Sequence, residues 1–199
     1  MTASGAAGGD DAHLRETPVA GEVVFDGALL HVRRDRVRLP TGREATREYI
    51  VHPGAVVVVP LLDDGRLVME RQFRYPLGRV LLELPAGKVD RGEDPFVTGV
   101  RELAEETGYT AREWARAGVM HNAVGYSDER IEIWFARGLT AGRAQLDDGE
   151  HLDVVLVDPA ELDAMAARGD VTDVKTLVGL LWLQRWRAGA WPLQWRPAA

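Results

Sequence analysis

Three carboxylates, Glu102, Glu105 and Glu106, stand at offsets of zero, three and four in the run VRELAEETGY. On a helix those offsets put them on one face. Side by side near a helix C-terminus they repel one another and the negative end of the helix dipole, so something must compensate them. Arg101 cannot neutralise all three. One or more hard divalent cations would do so, because Mg²⁺ prefers carboxylate oxygen, keeps several waters and commonly holds substrate phosphates. A solvated acidic helix face is the other reading, and charge alone leaves both open.

The elements that must position these acids can be read around them. Pro95 suits the first turn of a helix, where its missing N–H is not needed, and Gly108 suits the C-terminal cap. Phe96, Val100, Leu103 and Thr107 recur at four, three and four residues, a stripe expected to face a core. Gly99 falls on the acidic side. There a missing side chain would admit the preceding loop, or else it is a tolerated weak spot costing about 1 kcal/mol of helix propensity. Upstream, LLELPAG reads as a strand ended by Pro85, with Gly87 letting the backbone pass close to a ligand or to the helix. Glu83 lies inside this apolar run, where an unpaired carboxylate is costly. It should meet an arginine or a ligand, unless it stands at a strand edge open to water.

Taken whole, the stretch from Gly87 to Tyr109 resembles the Nudix box. That pattern is Gly, five residues, Glu, seven residues, Arg-Glu, an aliphatic, any residue, Glu-Glu, any residue, Gly and an aliphatic. Gly87, Glu93, Arg101, Glu102, Leu103, Glu105, Glu106 and Gly108 fill every fixed position at its spacing. Only Tyr109 departs, and it is apolar enough to take the aliphatic's place. A match of this length is far more specific than a lone glycine motif. The resemblance implies an α/β fold, an α/β/α sandwich around a mixed sheet, with the box as a loop, helix and loop. It also implies hydrolysis of nucleoside diphosphates linked to another group, with Mg²⁺ or Mn²⁺. By resemblance, Glu102 and Glu106 are direct metal ligands helped by the Ala86 carbonyl, and Glu105 joins through a second ion or bound water. Glu93 and Arg101 brace the loop and orient the acids.

The 199 residues, 46% hydrophobic and 28% charged, suffice for one domain with a full core plus a small extension. A net charge of −7 argues against a broad nucleic-acid surface. There is no cysteine, so disulfide and thiolate chemistry are out. No stretch reaches the ~20 apolar residues of a membrane span, and the start lacks a basic region followed by an apolar one. A soluble, cytoplasmic protein is expected.

In chain order, residues 1–12 read as a disordered tail. Residues 13–52 read as short strands: Val23 and Phe25 alternate before a turn at Asp26–Gly27, and Leu30 and Val32 follow. Val37 and Leu39 resume beyond a basic interval at Arg34 to Arg36, and a further strand centres on Tyr49–Val51. These strands have few partners of their own and need a neighbour, which makes them a candidate dimerisation element. Residues 53–188 carry the box, opening on an apolar strand, a DDG hairpin at Asp63–Gly65 and a second strand into Phe73. After the box, ARAGVM and RIEIWFARGL read as strands around the polar loop HNAVGYSDE. A buried His121 would be either a satisfied structural group or a catalytic one. DDGEHLD is a second acidic loop. Its Glu150 is either a solvated turn residue or a base that approaches bound water when substrate is present. Two helices close the domain, the second with Thr172 as its expected N-cap and Val174, Leu177, Val178, Leu181 and Trp182 as its stripe. The tail at 189–199 is crowded with tryptophans that should pack on the domain or a partner subunit.

Outside the box, RQFRYP, ELPAGKVDRGEDP, GYSDE and DVKT resemble the ADP-ribose pyrophosphatases and their nucleotide-sugar relatives, over roughly residues 14 to 185. The resemblance implies N-terminal strands exchanged between two subunits of a homodimer. It also implies Phe25 stacked on adenine, Arg74 on the diphosphate and Glu83 lining the cleft. An arginine's rigid donor fork suits phosphate oxygens in any case, although alone Arg74 reads as a surface charge. Val124 departs from the proline those enzymes usually carry, which puts the terminal sugar in question. The expected activity is Mg²⁺-dependent hydrolysis of ADP-ribose to AMP and ribose 5-phosphate. The alternatives are another nucleotide sugar, an oxidised nucleoside triphosphate, or a non-hydrolytic ADP-ribose-binding regulator.

Overall fold

The computed structural model describes residues 11–198. Most of the expected N-terminal tail lies outside them, and Asp11–Leu14 forms a single 3-10 turn. The chain divides into two compact units, one running to His52 and including 123–128, the other holding 53–122 and the remainder from Glu129.

The first unit is an antiparallel meander of β1 (Thr17–Asp26), β2 (His31–Arg38) and β3 (Glu44–Val51). Its first turn is at Asp26–Gly27, with Gly27 N donating to Leu30 O at 2.9 Å. The basic residues read as an interval are part of β2 itself. Their charges are met across the ladder, Arg34 by Glu48 at 2.8 Å and Arg36 by Glu44 at 3.0 Å. Such cross-strand pairs let a charged run stay in register. The 123–128 loop belongs here too: Ile50 N donates to Tyr126 O, and His52 N to Asp128 Oδ1, each at 2.8 Å.

The second unit is built on an eight-stranded sheet. Its main order is β10 (Leu152–Val157), β5 (Leu67–Arg74), β4 (Ala55–Leu61), β9 (Ile131–Ala141), β8 (Tyr109–Met120) and β11 (Arg196–Pro197). Two short strands, β6 (Arg79–Glu83) and β7 (Ala86–Lys88), pair with β5 and β4. β4 and β9 run parallel and the other pairs antiparallel, so the sheet is mixed. Alternation sends each strand to both faces. Val56 and Val58 meet α1 (Pro95–Thr107) through Leu103 and Phe96, with Phe96 edge-on to Trp114 at 5.6 Å. Val57 and Val59 face α2 (Pro159–Arg168) and α3 (Val174–Arg187) through Leu162, Leu180 and Leu183. Helices on both faces of one mixed sheet make the α/β/α sandwich.

Both long helices bury only part of the stripe their large apolar residues mark: Leu103 and Thr107 on α1 are buried with Phe96 packed beside them, and Val178 and Trp182 on α3 pack on the core. On α1, Val100 is 37% exposed, and the buried residues are Thr98, Gly99, Leu103, Glu106 and Thr107. Gly99 faces the sheet, where a Cβ would stand 3.2 Å from Val56 and 3.7 Å from Trp114. It therefore admits strands, not the preceding loop. On α3, Val174, Leu177 and Leu181 are exposed, while Thr176, Gly179, Leu180 and Leu183 are buried. A Cβ on Gly179 would meet Leu84 at 2.5 Å, so the helix lies against the strands at that point. Its N-cap is Asp173, which accepts from Thr176 N at 3.0 Å, and not Thr172, whose hydroxyl accepts from Arg79 at 2.9 Å. The tail tryptophans pack on their own domain: Trp182 meets Trp191 at 4.4 Å, and Arg137 lies 4.0 Å over Trp195. Among the described residues no helix is long and apolar enough to cross a membrane.

Candidate active site

The loop into α1 is fixed by its own sequence. Asp94 caps the helix by accepting from Phe96 N at 2.8 Å, Pro95 follows at the first turn, and Gly108 closes it in the left-handed region at φ 75°. Gly87 is absent a side chain for a specific reason. A Cβ there would fall 1.8 Å from Glu102 Oε1 and 1.9 Å from its Cδ, so only glycine lets β7 pass under that carboxylate. One residue earlier, Ala86 N donates to Glu106 Oε2 at 3.0 Å. Strand β7 thus touches both acids.

Arg101 ties the loop to the helix. Its Nη1 donates at 2.9 Å to both Glu102 and Glu105, while Nε and Nη2 reach Glu93 at 3.2 and 3.1 Å. The Thr98 hydroxyl adds a 2.7 Å bond to Glu93. The Arg101 bonds, aided by Thr98 and the Asp90 N–H against some loss of hydration, hold the Glu93 carboxyl down at about 2. Among the described residues, no three acidic or imidazole groups already converge as a set of metal ligands. In this arrangement the arginine is the cation that three box acids, Glu93, Glu102 and Glu105, share.

Glu106 is only 4% exposed. Burial, and then the neighbouring charges of Glu70, Glu102 and Glu150, push its carboxyl far above the usual carboxylate range. Glu102 is raised in the same direction, by burial first and by Glu105 and Glu150 in addition, while Arg101 opposes. A group of acids held at a cost in repulsion and desolvation is one that a divalent cation would stabilise. The donors are hard oxygens, which suits Mg²⁺ or Mn²⁺ and not a thiolate-seeking metal.

Positive charge gathers on the other side. Arg74 Nε and Nη2 grip Glu83 in a fork at 2.7 and 2.8 Å, and the Lys175 ammonium bonds the same carboxylate. Asp173 holds Lys175 at 3.1 Å. Glu83 is buried, and burial alone would raise its carboxyl, but these two cations bring it below its ordinary value. The strand-edge reading of Glu83 therefore gives way to the arginine one. Arg74, Lys175, Asp173, Ala86 and Gly87 line one cleft of about 240 Å³.

The structure thus gathers Arg74, Glu83, Ala86, Gly87, Glu93, Arg101, Glu102, Glu105 and Glu106 within the second unit. Glu150, on the turn after Asp147, is near enough to bear electrostatically on Glu102 and Glu106. Phe25 belongs to the first unit and is 55% exposed. His121 is exposed, which ends its reading as a buried group. Three residues escaped the sequence reading. Lys175 and Asp173 lay in the DVKT run, seen only as a helix start. Glu70 offered the same signal as Glu83, a carboxylate in an apolar strand, and lies opposite it in the β5–β6 ladder.

Comparison with known proteins follows the same division. Residues 51–177 match the NUDIX domain family, and residues 16–50 match the nucleoside diphosphate sugar hydrolase N-terminal domain. The chain is 36% identical over 173 residues to the ADP-ribose pyrophosphatase of Bacillus subtilis (strain 168), covering 86% of this chain and 94% of that protein. It is 37% identical over 167 residues to the ADP-ribose pyrophosphatase of Mycobacterium tuberculosis (strain ATCC 25618 / H37Rv), covering 82% and 80%. Among solved structures, that of an ADP compounds hydrolase superposes with a TM-score of 0.79 at 24% identity, over 88% of this chain and 96% of the other.

Proposed function

The chain belongs to the Nudix family, and on that premise we propose that it hydrolyses the pyrophosphate bond of ADP-ribose to AMP and ribose 5-phosphate. The observation that carries this reading is the meeting of opposite charges around β7. Arg74 and Lys175, held by Glu83, line a cleft together with Ala86 and Gly87, and those two β7 residues lie against Glu106 and Glu102. A diphosphate with a bound divalent cation has the complementary pattern. Two relatives that share most of this chain's length bear the name ADP-ribose pyrophosphatase, which supports that nucleotide sugar over a triphosphate.

Each residue then has a role. Glu102, Glu106 and the Ala86 carbonyl would hold Mg²⁺, with Mn²⁺ as the alternative, and Glu105 would join through a second ion or its water. When bound there, such an ion would supply Lewis acidity to a phosphate oxygen and to an attacking water. Arg101 and Glu93 keep the acids aimed, Glu150 takes the proton of the attacking water, and Arg74 donates to the diphosphate from the guanidinium N–H groups that Glu83 leaves free. Glu83 holds the Nε–Nη2 edge of that guanidinium and so fixes its plane. Phe25 offers a flat face for the adenine.

We further propose a homodimer in which the N-terminal strands complete the partner's substrate site. Val19, Val23, Val24 and Phe25 on β1 are all exposed, an apolar edge that a second chain would cover. A sedimentation run at micromolar concentration that found only a 21.9 kDa species would exclude it. The activity is tested by incubating the chain with ADP-ribose and Mg²⁺ and resolving the products. AMP and ribose 5-phosphate in equal amounts, abolished by EDTA, are expected. Intact ADP-ribose after complete metal loading would refute this substrate.

A further inference from the structure

Three carboxylates in the second unit are deeply buried on strands, and two of them are well supplied with partners. Glu132 accepts from Arg116 at 2.8 Å, from Arg130 at 2.5 Å and from the Trp134 indole at 3.2 Å. Glu83 has Arg74 and Lys175. Glu70 is the exception. It has no exposed surface, and neither of its carboxylate oxygens has a hydrogen-bond partner among the described groups. A buried carboxylate left so is among the costliest arrangements a fold can hold, and structural acids avoid it.

Its surroundings show what the position serves. Glu70 lies on β5 opposite Glu83 in the β6 ladder, and its carboxyl is near enough to that of Glu106 for the two to bear on each other electrostatically. Lys175 and Arg74 attract Glu70 but spend their bonds on Glu83. The box acids reach Glu106 from α1, whereas Glu70 reaches it from the strand beneath. An apolar residue would fill this site of β5 at lower cost, since Leu67 and Met69 are buried on the same strand.

We propose that Glu70 is a further carboxylate of the divalent-cation site, supplying negative charge to the ion that Glu106 holds. This rests on the reading of Glu102 and Glu106 as the cation-binding acids, and adds to it a donor outside the box, on a different element. The buried pair Glu70–Glu106 would then offer the ion carboxylate oxygens from both β5 and α1.

The test uses the full chain without substrate. Free Mn²⁺ is followed by electron paramagnetic resonance during titration, and melting is recorded in EDTA and in Mn²⁺. Glu70→Gln keeps the shape and removes the charge. The expected result is at least a ten-fold rise in Kd for Mn²⁺ or the loss of one ion per chain. Melting in EDTA should be equal to or above the parent's, with a smaller gain on adding Mn²⁺. Glu70→Asp keeps the charge on a shorter arm and should bind Mn²⁺ more tightly than Glu70→Gln. Parental affinity and stoichiometry in Glu70→Gln, with lower melting in EDTA, would make Glu70 a structural residue and overturn the proposal. Equal weakening in both variants would assign the effect to packing and overturn it as well. A parent chain that bound no Mn²⁺ would instead overturn the cation reading of the box, and this proposal with it.

Discussion

Adding one methyl group at Gly87 should disable the site while sparing the fold. In the present structure that carbon would lie 1.8 Å from Glu102 Oε1, and ordinary contact begins at 3.4 Å, so the carboxylate must retreat by about 1.6 Å. A misplacement of about 1 Å in a positioned group can cost 10²-fold in rate, so Gly87→Ala should lower kcat/KM at least ~100-fold. The cost to stability is much smaller. Gly87 is not in the left-handed region, and the group that must move is the end of a flexible side chain. An off-rotamer Glu102 costs about 0.5–1.5 kcal/mol, and the reduced freedom of the unfolded chain returns about 0.4–1 kcal/mol. The net is within about 1 kcal/mol, a shift of ~2–4 °C for a chain of this size. Steady-state kinetics with ADP-ribose at saturating Mg²⁺, a Mn²⁺ titration and a thermal melt measure all three quantities. Gly99→Ala is the control, because its methyl meets Val56 at 3.2 Å on the sheet side and should change melting without touching kcat/KM. A Gly87→Ala enzyme within three-fold of the parent in both kcat/KM and Mn²⁺ affinity would refute the claim that β7 positions Glu102.

Two other outcomes follow from the same geometry. Glu106→Gln should lose at least ~100-fold in turnover, as removal of one key electrostatic group does, with its circular dichroism and melting preserved; turnover within a few-fold of the parent would remove Glu106 from the catalytic centre. Glu93, depressed to about 2 by Arg101, contributes stability that is present above its ordinary value of about 4.3 and lost as pH falls through its folded value. Glu93→Gln should therefore melt below the parent by a constant margin above pH 5, and the margin should shrink below pH 4. A margin independent of pH down to 2 would contradict the bracing role of its charge.

The box was legible because its chemistry is local. Gly87, Glu93, Arg101 and the three helix acids are fixed by spacing on one loop and one helix, and the helix's end signals, Pro95 and Gly108, are written beside them. Alternation gave the individual strands and the hairpin at Asp63–Gly65, whereas the mixed sheet was implied by the resemblance to the Nudix family. What was misread was orientation. Apolar periodicity counts large side chains, but the depth at which a helix lies on a sheet is set where side chains are missing. Gly99 and Gly179 therefore chose the buried stripes over Val100 and Leu181. Turning α1 that way also buried Glu106, a result no amphipathic pattern would favour. Glu70 and Lys175 were missed because each owes its role to a partner far away in sequence. Lys175 meets Glu83 across 92 positions, and nothing near it predicts that bond.

The central claim is that this cleft recognises a diphosphate between two sugars and cuts it with a divalent cation. The most direct measurement is kcat/KM for ADP-ribose, ADP-glucose, GDP-mannose and 8-oxo-dGTP in parallel, with Mg²⁺ and Mn²⁺ compared. ADP-ribose should lead the panel with ADP-glucose weaker. If GDP-mannose or 8-oxo-dGTP were at least ten times better than ADP-ribose, a transition-state preference of about 1.4 kcal/mol, the substrate assignment would be contradicted.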